Sequence, residues 1–515
     1  MLKKLRFLPV LAVVVLVVRV ASAQHDFHRN ATHGIARDDL KWAASQLKKA
    51  ESDDPETHFV RLMMALKQGE LSAAKESARA ALDHGLPFAR LVAGPRDLLA
   101  PLHGTSLFET WKARHEDLKL LHGPMVGAVT DSSASFWVRT AEASEVRVVA
   151  GKRKSEPVST SKDSDFTGIV TLEELEPDTS YDYRVLVDGE QADAEHTRFR
   201  TFPRAGQPAG FQVVFGGGAG YLPKWERMWD TIRQRQPLAL FMLGDNVYID
   251  QPKHRLSQRY CYYRRQARPE WRRLVASTAT FAIYDDHDFG TNDCVPGPEI
   301  ESPPWKRSVW NVFKQNWVNP GYGGGEAQPG CWFDFYIGDV HFVMLDGRYY
   351  RDRKSGSMLG PAQKAWLFDT LKNSRGTFKV LASPVPWSEG VKPGSKDPWD
   401  GFPEEREEIF SFIESERIEG VFLIAADRHR TDLRKTSRRD GYDLYEFESS
   451  RLTNRHTHAI VKTPGLIWGY NKTCSFGLMH FDTTASDPKV VFECVSIDGD
   501  VMHRHELRAS SLSHQ

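Results

Sequence analysis

Cysteine is scarce in this chain. Cys261, Cys294, Cys331, Cys474 and Cys494 are the only five in 515 residues, with no CxxC pair and no Cys/His spacing of the kind that builds a structural zinc site. The odd count leaves at least one thiol unpaired within the chain, and the spacing dictates no pairing. An excess of either charge is also missing. Lys plus Arg and Asp plus Glu each number 68, so the sequence carries no general nucleic-acid-binding surface. No internal period repeats convincingly, and the oligomeric state has no signature. Beyond the first 23 residues, no apolar run approaches the roughly 20 residues that a membrane span needs. The glycine run GGGAGYLPK lacks the Gly-Lys-Ser/Thr ending of a P-loop.

What remains is ordinary globular usage, 40% hydrophobic and 26% charged, at a length that suggests two to four domains. At the start, Lys3, Lys4 and Arg6 precede an apolar run from Phe7 to Val18 that ends in Ala21-Ser22-Ala23. This order predicts a secretory signal peptide over 1–23, cleaved before Gln24. Its removal takes four basic residues and no acid, leaving 64 basic against 68 acidic. The mature protein is therefore expected to be soluble, without a membrane span, and secreted or periplasmic.

Three zones follow. Over 37–121, Leu, Ala and Met recur at three- and four-residue spacing, broken by Gly69, Gly85 and Pro87, which predicts a helical region acting as a cap or docking module. Over 123–203, short alternating strands separated by Gly, Pro and Asp turns predict a small fibronectin III-like β-sandwich. From 210 to 510, β-branched and aromatic runs at 212–218, 238–245, 280–288, 340–346, 378–387 and 420–429 alternate with helical text such as WERMWDTIRQR. This is the pattern of a layered α/β domain, with sheets flanked by helices.

The polar residues of the third zone sit at the carboxyl ends of these runs: Asp245, Asp285-Asp286-His287-Asp288, Asp346 with Arg348, and Asp427 with His429. In open α/β sheets ligands bind outside those ends, so side chains from several strands converge on one crevice. Carboxylates gathered there repel one another unless cations lie between them, and oxygen and imidazole donors suit hard or borderline metals. Two such cations activate water and stabilise a phosphoryl transition state, which points to hydrolysis of a phosphate ester.

GDNVYID at 244–250, YDDHDFGTND at 284–293, DGRYYR at 346–351, SPVPW at 383–387 and ADRH at 426–429 resemble, in order and spacing, the alkaline phosphatase D (PhoD-like) branch of the metallophosphoesterases. The β zone before them is similar to that family's N-terminal sandwich; the helical zone lies outside the resemblance. The resemblance implies a metallophosphoesterase-like β-sandwich and assigns roles position by position. Asp245 would bridge two metals, Tyr248 would be a phenolate ligand, Asp286 a further ligand, and Asp427 with His429 the last ligand pair. His287 would act beside the scissile phosphate, and Arg348 would hold phosphate oxygens.

Two positions depart from the family. Gly218 stands where those phosphatases usually carry a Cys, which disfavours iron and favours calcium, magnesium, manganese or zinc. The glycines there either let backbone amides cradle a phosphate or make a tight turn. Ala426 replaces the usual Gly, and its methyl is expected to crowd the turn. The basic, aromatic stretch 251–273 reads as a solvated helix face or as a lid that attracts anions. The expectation is an exported, metal-dependent phosphatase or phosphodiesterase acting on small-molecule or polymeric phosphate esters. No covalent phosphoenzyme is expected, since no Ser or Cys stands at a suitable strand end. The alternatives are a degenerate, non-catalytic relative that binds calcium or an anionic ligand, and a partner-binding protein for which the third zone is scaffold.

Overall fold

The computed structural model describes residues 26–514. The leader expected over 1–23 lies outside them. Among the described residues no helix is long and apolar enough to cross a membrane, and all five cysteines are unpaired.

The helical zone starts earlier than its apolar spacing indicated, because Asp26 caps the amide of Arg29 and opens a helix at once. Seven helices follow one another: α1 (Phe27–Ala36), α2 (Leu40–Leu47), α3 (Pro55–Gln68), α4 (Leu71–Asp83), α5 (Phe88–Ala93), α6 (Arg96–His103) and α7 (Ser106–Lys112). Gly69, at φ 78°, ends α3 in the left-handed cap that glycine adopts without a steric cost.

The β zone holds β1 (Leu120–Gly127), β2 (Ala134–Thr140), β3 (Glu145–Ala150), β4 (Arg153–Lys154), β5 (Val158–Ser159), β6 (Thr167–Leu172), β7 (Ser180–Val187), β8 (Glu190–Gln191) and β9 (Arg198–Arg200). One sheet runs β1-β2-β6 and the other β4-β3-β7-β8, with β5 on β3 and β9 on β7.

The third zone contains α8 (Met228–Gln234), α9 (Arg255–Gln266), α10 (Pro269–Val275), α11 (Asp286–Phe289), α12 (Trp305–Lys314), α13 (Gly360–Lys372) and α14 (Pro403–Ser415). Its strands are β10 (Gly210–Gly216), β11 (Ala239–Leu243), β12 (Ala279–Ile283), β13 (Phe333–Ile337), β14 (Val340–Met344), β15 (Phe378–Ala382), β16 (Val421–Ala425), β17 (Thr431–Thr436), β18 (Leu444–Ser449), β19 (Leu466–Tyr470), β20 (Ser475–Asp482), β21 (Lys489–Ser496) and β22 (Val501–Arg508). Each of the six apolar runs is a strand. They fall into two mixed sheets, β12-β11-β10-β20-β21-β22 and β13-β14-β15-β16-β18-β17-β19. Their inner faces meet through phenylalanines: Phe241 against Phe342 at 4.9 Å and Phe281 stacked on Phe335 at 4.2 Å. β10, β11 and β12 run parallel in one sheet and β14, β15, β16 and β18 in the other. Their carboxyl ends therefore open on one edge, where Gly217 bridges to Ser450.

The basic segment after residue 251 is neither a solvated face nor a lid. Tyr260, Tyr262, Tyr263, Arg264 and Arg265 of α9 are buried. Arg264 pairs with Asp26, and Arg265 with Glu226 at 3.2 Å. The helix holds the N-terminal zone to the third: Phe59 of α3 stacks on Tyr260 at 6.5 Å. The β zone is tied in as well, since the Trp137 indole donates to the Gln315 carbonyl (2.8 Å), and Arg139 donates to Gln266 (2.6 Å) and Asn316 (2.9 Å).

Candidate metal centre

Asp245 follows β11 in a loop that the backbone must turn sharply. Gly244, at φ 100°, passes so close to Asp285 that a Cβ on it would lie 2.5 Å from the Asp285 Cβ. The loop is pinned by Asp288, whose carboxylate accepts the amides of Asn246 (3.0 Å) and Val247 (2.9 Å). Asp288 is thus a structural anchor. Asp245, Tyr248, Asp427 and His429 all adopt left-handed φ between 47° and 70°, and so does Asp250. Non-glycine residues in this region cost free energy and gather at functional sites.

Five of the seven side chains singled out from sequence come together here. Asp245, Asp286 and His287 place one potential ligand atom each within 4.8 Å of the others. The Tyr248 hydroxyl meets His429 Nε2 at 2.6 Å, and that nitrogen stands 3.8 Å from Asp245 Oδ2. Asp427, two residues before His429, is half-buried, with one oxygen facing Lys392 (3.9 Å) and Arg428 (3.7 Å).

Several of these atoms lack partners. Asp245 Oδ1, Asp427 Oδ2 and His429 Nδ1 are buried without a hydrogen-bond partner among the described residues. Burial raises the Asp245 carboxyl well above its ordinary range, and the nearby Asp286, Asp285 and Asp288 add to the shift against His287. Burial lowers His429 well below the usual histidine value, so it is a neutral donor. A buried, mutually repelling set of oxygen and nitrogen donors with open lone pairs fits divalent cations.

His287 is held differently. Its Nδ1 meets Asp250 Oδ1 at 2.5 Å, and its ring stacks on Tyr248 at 4.6 Å. Burial alone would lower its pKa, but Asp250, Asp286 and Asp245 raise it well above the ordinary value. Asp250 is gripped in turn by Arg29 of α1 (2.9 Å), which also donates to the Tyr248 carbonyl (3.0 Å).

Arg348 does not take the expected place. It is fully buried, its Nε donates to Asp285, and its Nη1 and Nη2 donate to Asp397 at 2.7 and 3.2 Å. A guanidinium closed by two carboxylates has no face left for phosphate, so Arg348 is an internal ion-pair residue that braces Asp285 beside the site. Asp346 caps a turn, accepting the amides of Arg348 (2.7 Å) and Tyr349 (2.9 Å). The acidic group Asp286, Asp293 and Asp397 is neutralised by Arg348, Arg351 and Lys392.

The glycine run is a turn and not an amide cradle: the amides of Gly217, Gly218 and Ala219 donate to the carbonyls of Ser449, Gly244 and Asp245. Gly218 does lie at the centre. A Cβ there would sit 3.1 Å from His429 Cδ2, so the position beside this histidine carries no ligand. The crowding expected from Ala426 is absent because Gly217 leaves the space; a Cβ on Gly217 would lie 2.6 Å from the Ala426 Cβ.

Sequence reading missed Arg29, Asp250, Asn454, His456 and His458. Asn454 donates to the Tyr248 hydroxyl at 2.6 Å. His456 and His458 lie beside His429, and burial lowers both, His458 to about 3. The doublet of histidines in Arg455-His456-Thr457-His458 was a visible signal.

Residues 213–462 match the model of PhoD-like phosphatases, and residues 117–204 match a domain of unknown function, DUF7800. Alkaline phosphatase D of Bacillus subtilis (strain 168) is 25% identical over 329 residues, 52% of this chain and 55% of that protein. The chain spans about half the length of the curated relatives it matches. A solved structure of PhoD shares the fold at a TM-score of 0.63 and 17% identity, covering 78% of this chain and 91% of that one. Purple acid phosphatase PPD1 from yellow lupin (Lupinus luteus) seeds does so at 0.58 and 12%, covering 76% and 75%.

Proposed function

We propose that this chain, whose residues 213–462 match the model of PhoD-like phosphatases, is an exported metal-dependent hydrolase of phosphate esters. The observation that carries this reading is the convergence of Asp245, Tyr248, Asp286, His287 and His429, with buried atoms of Asp245 and His429 left unpartnered, at the carboxyl ends of parallel strands. In the same reading 1–23 is a cleaved signal peptide, 37–121 a helical region, 123–203 a fibronectin III-like sandwich and 210–510 the catalytic domain.

Asp245, Tyr248, Asp286 and His429, with Asp427 two residues before His429, would hold the cations. Divalent ions there supply Lewis acidity, which acidifies water and neutralises charge on the phosphoryl group. The protein's own residues do the rest. Asp250 ties down His287 Nδ1 and leaves Nε2 to hold or donate a proton at the leaving oxygen. Asn454 and His429 orient the Tyr248 hydroxyl. Arg348 fixes Asp285 at the head of α11 and thereby places Asp286 and His287.

Elemental analysis of the mature protein, beside hydrolysis of an aryl phosphomonoester and an aryl phosphodiester over a panel of added metals, tests the reading. Bound metal and turnover that Asp245→Asn abolishes are expected, and the preferred ester sets the subclass. His287→Gln should keep the metal and lose about 10²–10⁴-fold in kcat. Bound metal without turnover under any condition would instead identify a non-catalytic relative.

A further inference from the structure

Two histidines beside the centre have no part in the chemistry just described. His456 and His458 lie on the loop after β18, and both rings close on His429, with centroids 5.5 and 5.4 Å from it and 4.4 Å from each other. One nitrogen from each of the three lies within 4.8 Å of the others. The loop is fastened in this position: Thr457 Oγ1 donates to the His429 carbonyl (3.1 Å), Asn454 Oδ1 accepts the His456 amide (2.9 Å), and Asn471 donates to the His458 carbonyl (2.9 Å).

His429 has a second ring nitrogen to offer. It is 6% exposed, and while Nε2 is engaged by Tyr248 and Asn454, the buried Nδ1 has no hydrogen-bond partner among the described residues. A buried imidazole nitrogen without a partner is costly unless something coordinates it.

We infer that His429, His456 and His458 form a three-nitrogen site for a borderline transition-metal dication of the zinc class, adjoining the carboxylate centre. Three imidazole nitrogens suit zinc, copper, nickel or cobalt and do not suit calcium or magnesium, which require oxygen; His429, whose Nε2 faces the carboxylate centre, would join through Nδ1 as a bridging imidazolate, its ring proton released to solvent. Zinc binds imidazole at about 2.0–2.1 Å, so the rings would have to close inward from their present spread; His456 and His458 are half-buried. Gly218 offers no ligand to His429 from its own position, and the loop histidines make up the donor set. The site rests on the phosphatase reading only through the shared His429.

The mature full-length protein, stripped by a chelator, is loaded with zinc, cobalt or calcium in separate samples. Bound metal is counted by mass spectrometry, and the cobalt form is read by its visible absorption. The His456→Ala/His458→Ala variant should hold one zinc equivalent fewer than wild type, lose the tetrahedral cobalt bands and bind calcium unchanged. Single His456→Gln and His458→Gln variants, with far-UV circular dichroism of the metal-free forms, exclude a collapsed loop as the cause; each should weaken zinc retention with the spectrum unaltered. Equal zinc counts and cobalt spectra in wild type and double variant would overturn the inference and leave the phosphatase reading intact. Absence of turnover in wild type under every metal, with the zinc difference preserved, would overturn the phosphatase reading alone.

Discussion

A methyl group on Gly217 would meet the Cβ of Ala426 at 2.6 Å and the Gly244 carbonyl at 2.9 Å, so the two strand ends that carry Asp245 and Asp427 touch through a place where only one methyl fits. Gly217→Ala should therefore cost about 1–3 kcal/mol, the usual range for overpacking. Adding Ala426→Gly should recover part of that loss. A double-mutant cycle by urea unfolding measures the coupling, and simple additivity would sink the explanation. At this scale the sequence was legible in position where polar residues follow strand ends, since Asp245, Tyr248, Asp286, His287 and His429 do meet in space. It misled at Arg348, because a guanidinium beside an acidic motif looks the same whether it faces phosphate or is closed off by Asp285 and Asp397. Asp397 lies 49 residues from Arg348, and no local pattern links them.

Among the elements, α1 matters out of proportion to its length. It lies outside both matched regions, yet Arg29 grips the Asp250 that orients His287. Removing a partner that orients a functional group commonly costs about 10–100-fold. Arg29→Ala is accordingly expected to lower kcat by about tenfold or more with KM little changed, and Arg29→Lys to restore part of the loss. Steady-state kinetics on the preferred aryl ester decides; a rise in KM at constant kcat would show that Arg29 serves substrate binding instead. The helix pattern of the N-terminal zone was readable from its apolar spacing, and the six buried strands from their composition. The place of α1 was not readable, since its partner Asp250 is 221 residues away. The burial of α9 was equally hidden, because six arginines between 259 and 273 read as solvent-facing until Asp26, Glu226 and Asp165 are brought to meet them.

The molecule as a whole is one packed body of three zones, and its acid sensitivity can be placed. Burial would raise the Asp26 carboxyl, but Arg264, aided by Arg29, overrides this and holds it well below the usual carboxylate range. The folded pKa is thus below the unfolded value of 3.8. The pair's contribution is complete above about pH 5 and is lost as pH falls through the interval below 3.8. Asp26→Asn should lower stability by about 3 kcal/mol at pH 7, as for other broken buried ion pairs. The gap to wild type should narrow below about pH 3; a thermal-midpoint series across pH checks this, and a constant gap would refute it.

The grip of Arg29 on Asp250 also fixes an order of events during synthesis. Helix α1 can pack on α2 and α3 early, but Arg29 has no Asp250 to grip until 221 further residues have been made, and Asp26 waits 238 for Arg264. Contacts of such long sequence separation close late in folding. Helix α1 therefore reaches the site only after Asp250 has been made, and an interrupted chain that ends before Asp250 lacks the residue through which α1 reaches His287.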